Sequence, residues 1–141
     1  MTVYLDTSVV LRVLFHEPNT VKVWGRWDKA YSSSLWRVEA SRTVDRLRLS
    51  GALSDREVAD LARDIRIVHE TLSIQPLNDS ILQRASDSFP TVVGTLDALH
   101  LATALAIHEV DRLNLLLTHD LQLGTAARSL GFEVLGIDGA P

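Results

Sequence analysis

Met1-Thr-Val-Tyr-Leu-Asp-Thr-Ser8 is the stretch that decides the fold. Val3 to Leu5 is a short apolar run that stops at Asp6. Two hydroxyl residues follow, and then a helical pattern of Val9, Val10, Leu11, Val13 and Leu14 begins. A buried strand that empties into a helix N-terminus opens an α/β unit. In open parallel sheets, ligands sit outside the carboxyl ends of the strands. Asp6 stands at such an end, so function turns on whether other reactive side chains arrive there.

The rest of the chain repeats the alternation. The first helix is expected over 8–16, stopped at Glu17-Pro18 because the residue before proline leaves the helical region. Pro18 suits the first turn of a second helix carrying Val21, Val23, Trp24 and Trp27. Tyr31 to Ser33 reads as a strand, and Ser34 or a neighbouring serine as the cap of a helix from Leu35 to Ser50. Ser54-Asp-Arg-Glu57 is a capping box opening a helix to about His69. Thr71 to Leu77 reads as a strand, placed at an edge by Pro76. Asn78 caps a helix to about Phe89, and Thr95 caps a long apolar helix to about Val110. Leu113 to Leu117 is a central-strand candidate. A helix from Leu121 to Leu130 and a strand from Phe132 to Leu135 close the pattern. The fold class is therefore α/β, a single domain over 1–135 with a mostly parallel central sheet and helices on both faces. Residues 136–141 are expected to be a frayed tail.

The bulk numbers suit this. At 141 residues, with 46% hydrophobic and 23% charged residues, the chain can bury one core. No apolar run reaches the roughly 18 residues of a membrane span, and no leader-like segment precedes the first strand. A cytoplasmic protein with no membrane partner is expected. The absence of cysteine excludes disulfides, thiolate zinc sites and thiol catalysis, and fits a reducing compartment. A net charge of -4 argues against nucleic-acid binding through overall charge, though not against a local basic rim. Of the fourteen basic residues only Lys22 and Lys29 are lysine.

Four acids lie at strand ends or early in helices. Asp6 ends the first strand, and Glu39 is in the second turn after the Tyr31 to Ser33 strand. Asp97 is in the first turn of its helix, and Asp120 follows the Leu113 to Leu117 strand. All four face one crevice if these strands are neighbours. Asp97 and Asp120, taken singly, are also explained as helix-start acids, and Glu39 as a solvated helix position. Asp6 has no evident capping duty. Grouped carboxylates raise one another's pKa unless a cation joins them. Oxygen donors without cysteine select Mg2+ or Mn2+. Such an ion can orient and acidify a water and offset charge on a phosphodiester, so the chemistry suggested is metal-assisted phosphate-ester hydrolysis.

Together, Val3-Tyr-Leu-Asp-Thr-Ser8, Arg37-Val-Glu-Ala40 with Arg42, Thr95-Leu-Asp-Ala-Leu-His-Leu-Ala-Thr-Ala104 and Leu116-Leu-Thr-His-Asp120 resemble the PIN domain family. Within that family the likeness is to the VapC-type toxins of bacterial VapBC toxin–antitoxin pairs. Ala126-Ala127 and Gly131-Phe-Glu-Val134 look like the family's closing helix and strand. The resemblance implies a PIN-like nuclease domain with endoribonuclease activity and an acidic pocket holding Mg2+, or Mn2+ as substitute. Asp6, Glu39, Asp97 and Asp120 look like its acidic quartet. Asp6 and Asp97 would be the main metal ligands, Asp120 and Glu39 would complete the shell directly or through water with one of them orienting the attacking water, and Thr118, with Thr7 or Ser8, resembles pocket hydroxyls. Products with a 5′-phosphate and a 3′-hydroxyl are expected. An RNA substrate, a VapB-like antitoxin partner and a homodimer are also implied.

Other residues admit two readings each. His100, three residues after Asp97, could join the site as a ligand or pack as a helix histidine. Arg42 and Arg46 share a helical side with Glu39 and could touch RNA phosphates or form local ion pairs. Trp24 and Trp27 could stack bases or pack in the core. An apolar groove between the 18–27 and 35–50 helices would suit an antitoxin segment. Two rival functions remain open: a non-catalytic binding module on the same fold, and an aspartate-based phosphatase. The phosphatase wants a second acid two residues after Asp6, where this chain has Ser8, and a poised lysine.

Overall fold

The computed structural model describes residues 1–138. Five strands, β1 (Thr2–Leu5), β2 (Lys29–Ser33), β3 (Ser73–Gln75), β4 (Leu115–Leu117) and β5 (Val134–Leu135), form one sheet in the order β3-β2-β1-β4-β5. Every pairing is parallel. Six helices connect them: α1 (Thr7–Leu14), α2 (Leu35–Leu49), α3 (Asp55–Thr71), α4 (Asp79–Ser86), α5 (Thr95–Val110) and α6 (Leu121–Ser129).

The short apolar strands explain the layers. A strand covered on both faces reads as continuous hydrophobic residues, and Val3, Tyr4 and Leu5 are all fully buried. Side chains alternate across the sheet. Val3, Leu5, Leu115 and Leu117 therefore join the core under α1, α2 and α3 with Val9, Trp36 and Ile65. Tyr4 and Leu116 point the other way, into the core with Leu101, Ile107, Leu123 and Ala127 of α5 and α6. The strand order runs outward from β1 in one direction for β2 and β3, and in the other for β4 and β5. The reversal falls between β1 and β4, where α/β sheets form a crevice at the strands' carboxyl ends. Asp6 and Thr118 leave the sheet at that point.

Most helix signals act as the sequence indicates. Ser54 and Glu57 complete the capping box of α3. The Asn78 side chain accepts from Ile81 N at 2.9 Å. The Ser33 hydroxyl, rather than that of Ser34, accepts from Leu35 N at 3.1 Å. Gln75 ends the edge strand just before Pro76.

Three expectations are corrected. Residues 18–27 are turns, not a helix. α1 closes with His16 in the left-handed region, φ 54°, and with Glu17 N donating to Arg12 O at 2.9 Å, a helix stop of the Schellman type. Asn19 is also left-handed, φ 61°, so Pro18 starts nothing. The expected groove between two helices at this place is therefore not formed. Trp24 and Trp27 pack edge to face, ring centroids 5.3 Å apart, against the α1–α3 core. The cap of α5 is Gly94; Thr95 is its first helical residue. The strand expected over Thr71 to Leu77 is three residues long, because α3 continues through Thr71. The frayed-tail expectation falls partly on 139–141, outside the described residues. Residues 136–138 run along the sheet end and make the contacts given below. Among the described residues no helix is long and apolar enough to cross a membrane.

Candidate active site

Each of the four acids is delivered by a different segment. Asp6 comes directly off β1 and is only 5% exposed. It is the N-cap of α1, its side chain facing Ser8 N, so it has the capping duty that its place after a strand did not suggest. Its Oδ2 also accepts from the Ser8 hydroxyl and, at 2.8 Å, from the Thr118 hydroxyl. Glu39 projects from the second turn of α2, partly exposed, and its Oε1 accepts from Thr7 Oγ1 at 2.9 Å. Asp97 sits in the first turn of α5 and is partly buried. Asp120, exposed, is the N-cap of α6, and its Oδ1 accepts from Leu123 N at 2.9 Å. One carboxylate oxygen of Asp120 is thus engaged by the helix.

The acids lie within one another's field. The Asp97 carboxyl is raised to about 6. Burial is the largest cause, followed by the negative charges of Asp120 and Asp6. His100 pulls the other way, and Glu39 adds to the rise. Among the described residues no three acidic or histidine side chains already sit together at metal-ligand spacing. The acids converge electrostatically without forming a closed set of ligands. The donor set nonetheless fits a hard divalent ion: oxygen atoms only, no thiolate, and a carboxylate raised first by burial and then by its acidic neighbours.

Beneath the acids runs a buried hydrogen-bonded line. Tyr4 hydroxyl meets His100 Nδ1 at 2.7 Å, and His100 Nε2 meets Glu39 Oε1 at 2.6 Å and approaches Asp6 Oδ1 at 3.5 Å. Tyr4 is fully buried and His100 is 1% exposed. Burial by itself pushes the imidazole pKa down. The hydrogen bond to Glu39 and the charges of Asp6, Glu39 and Asp97 outweigh it, so His100 holds its proton above the usual histidine range. Burial, then Asp6 and Glu39, push the Tyr4 hydroxyl well above its ordinary value. His100 therefore packs on α5 and also touches the site through two carboxylates. Tyr4 is the neighbour of the candidate site that sequence reasoning missed. Its signal was a phenol hydroxyl inside the apolar Val3 to Leu5 run.

The hydroxyls tie the loop after β4 to Asp6. Thr118, fully buried, donates to Asp6 and accepts from Asp120 N at 3.0 Å. Ser8 Oγ accepts from His119 N at 2.9 Å. On the rim, Arg42 pairs with Asp45 at 3.1 Å, which is the local ion-pair reading of that residue.

A five-stranded parallel sheet with carboxylates gathered at the C-terminal ends of its central strands defines the class of protein, and the profile of the PIN domain matches residues 3–128. The chain belongs to the PIN domain family. It is similar to Ribonuclease VapC47 of Mycobacterium tuberculosis (strain CDC 1551 / Oshkosh). The two are 31% identical over 137 residues, covering 92% of this chain and 93% of that protein. The fold is shared with FitAcB from Neisseria gonorrhoeae at a TM-score of 0.68 and 18% identity, over 94% of this chain and 96% of that one. It is also shared with a toxin–antitoxin complex from Klebsiella pneumoniae at a TM-score of 0.64 and 15% identity, over 94% and 95%.

Proposed function

We propose that this chain is a metal-dependent endoribonuclease, the toxin of a toxin–antitoxin pair, and that it hydrolyses RNA phosphodiesters at Asp6, Glu39, Asp97 and Asp120. One observation carries the reading: Thr118 ties Asp6 to the Asp120 backbone and His100 ties Glu39 to Asp6, so the acids share one crevice in which burial and the charges of Asp120 and Asp6 raise Asp97 to about 6. Acids held this way favour a cation between them, and oxygen donors favour Mg2+, with Mn2+ as substitute. The likeness to a protein named as a ribonuclease, over nearly the whole of both chains, supports the activity.

The residues divide the work. Asp6 and Asp97 would hold the ion, and Asp120 would complete the shell directly or through water. Glu39, fixed by Thr7 and His100, orients the attacking water from its side of the crevice. Thr118 keeps Asp6 and the Asp120 backbone in register. Bound there, the divalent ion supplies an acidified water and offsets charge on the phosphodiester. The products carry a 5′-phosphate and a 3′-hydroxyl. The nuclease domain spans 1–135, and the protein works in the cytoplasm as a homodimer restrained by a VapB-like antitoxin. A fold shared with a toxin–antitoxin complex supports that partner.

The test is cleavage of total cellular RNA by purified, antitoxin-free protein in Mg2+ or Mn2+, with chelator and Asp97→Ala as controls. Cleavage lost in both supports the reading. Absence of both cleavage and Mn2+ binding would favour the non-catalytic binding module.

A further inference from the structure

The residues after β5 make contacts that a loose terminus would not. Gly136 has φ 111°, and a Cβ placed on it would lie 2.1 Å from the Thr118 carbonyl oxygen and 3.3 Å from His119 Nδ1. Only glycine permits that approach. The Gly136 carbonyl accepts from His119 Nδ1 at 2.8 Å. One residue on, Ile137 lies over α6 where Gly124 stands: a Cβ on Gly124 would meet the Ile137 side chain at 2.7 Å. Asp138 then pairs with Arg128, at the last turn of α6. Thr118 N donates to Leu135 O at 3.1 Å, so the contact begins inside the sheet.

The residues these contacts grip are Thr118 and His119, and Asp120 follows through its N–H on the Thr118 hydroxyl. From the inner side the same two residues are held by Asp6 and Ser8, through Thr118 Oγ1 and His119 N. From the outer side residues 135 and 136 hold them, through Leu135 O and the Gly136 carbonyl. We infer that Gly136, Ile137 and Asp138 form a strap that positions the Thr118–Asp120 loop, so that the Thr118 hydroxyl meets both Asp6 and the Asp120 backbone in a fixed geometry. The strap makes Gly136 a positioning residue acting through the loop. The inference rests on the nuclease reading above for its consequence in catalysis, but not for its geometry. Partners that orient first ligands commonly carry about 10–100-fold in metal affinity or activity.

Three variants reach the strap by separate routes. Gly136→Ala drives a methyl group into the Thr118 carbonyl. A stop after Leu135 removes the strap and leaves β5. A milder Ile137→Ala weakens its seat on α6 without entering the loop and keeps the fold. All are measured at a temperature where circular dichroism shows a folded chain. The expected result is an Mn2+ affinity lowered about tenfold, with kcat on RNA lowered to match and KM little changed. The hydrogen-bonded His119 Nδ1 proton should also vanish from the NMR spectrum of the truncated chain. A merely structural role would lower thermal stability and leave Mn2+ affinity, kcat and the Thr118 and Asp120 amide shifts alone, and that result would overturn the strap. If the wild-type chain neither binds Mn2+ nor cleaves RNA, the nuclease reading fails by itself. The NMR arm then decides the strap: displaced Thr118, His119 and Asp120 amides support it, and unchanged ones reject it.

Discussion

Asp97→Asn should make the metal-free protein more stable while removing its response to metal. An ordinary aspartate titrates at 3.8, and Asp97 is raised to about 6. A shift of about 2 units corresponds to about 3 kcal/mol at full strength. The side chain is only part-buried, so solvent screening removes more than half, leaving about 1 kcal/mol. The sign follows from proton binding. Between these two pKa values the folded chain holds a proton that the unfolded chain has released. Metal-free stability therefore falls as pH rises through that window, and the loss is complete above it. The neutral amide of Asp97→Asn escapes the loss. Urea or thermal unfolding in chelator at pH 7 should show the variant more stable by about 1 kcal/mol, or about 3 °C in Tm for a domain of this size. The difference should close by about pH 4. Added Mn2+ should then reverse the order, raising the Tm of the wild type alone. A variant less stable than wild type at pH 7 in chelator, or a difference that does not change with pH, would refute the reasoning.

Other perturbations follow from the same geometry. If Mn2+ binding needs ionised Asp97, a pKa of about 6 leaves about nine-tenths ionised at pH 7 and about one-tenth at pH 5, a roughly tenfold fall in affinity by calorimetry; a flat profile would contradict it. His100→Leu removes the Tyr4 hydroxyl's partner at 2.7 Å and a partner of Glu39, and should cost about 2–4 kcal/mol in urea unfolding. Thr118→Val keeps the shape but loses the bonds to Asp6 and Asp120 N. It should cost about 1–3 kcal/mol and lower RNA cleavage by about tenfold or more, with Thr118→Ser restoring most of both.

Much of this was legible because the signals are local. Val3-Tyr-Leu-Asp6 and Leu115-Leu-Leu117 are apolar runs with an acid or hydroxyl at the exit, and a sheet buried on both faces requires that pattern. The layers, the switch point and the strand-end places of Asp6 and Asp120 followed from it, whereas Glu39 and Asp97 lie in helix turns that this pattern does not locate. What was not legible depends on distance or on single dihedrals. Pro18 reads as a helix start, but Asn19 takes a left-handed φ of 61° and the segment becomes turns. Thr95 reads as a cap, but Gly94 occupies that place. Tyr4 and His100 are 96 positions apart, so no spacing rule pairs them. Gly136 looks like the start of a tail until its neighbour, the Thr118 carbonyl, is seen.

If the four acids act on RNA through a bound divalent ion, its cleavage leaves a chemical signature. The most direct measurement incubates antitoxin-free protein with total cellular RNA in Mn2+ and maps the new ends. The expected result is cuts bearing 5′-phosphates that disappear with chelator and with Asp97→Ala. Cleavage that persists in folded Asp97→Ala, or ends bearing 2′,3′-cyclic phosphate, would contradict it.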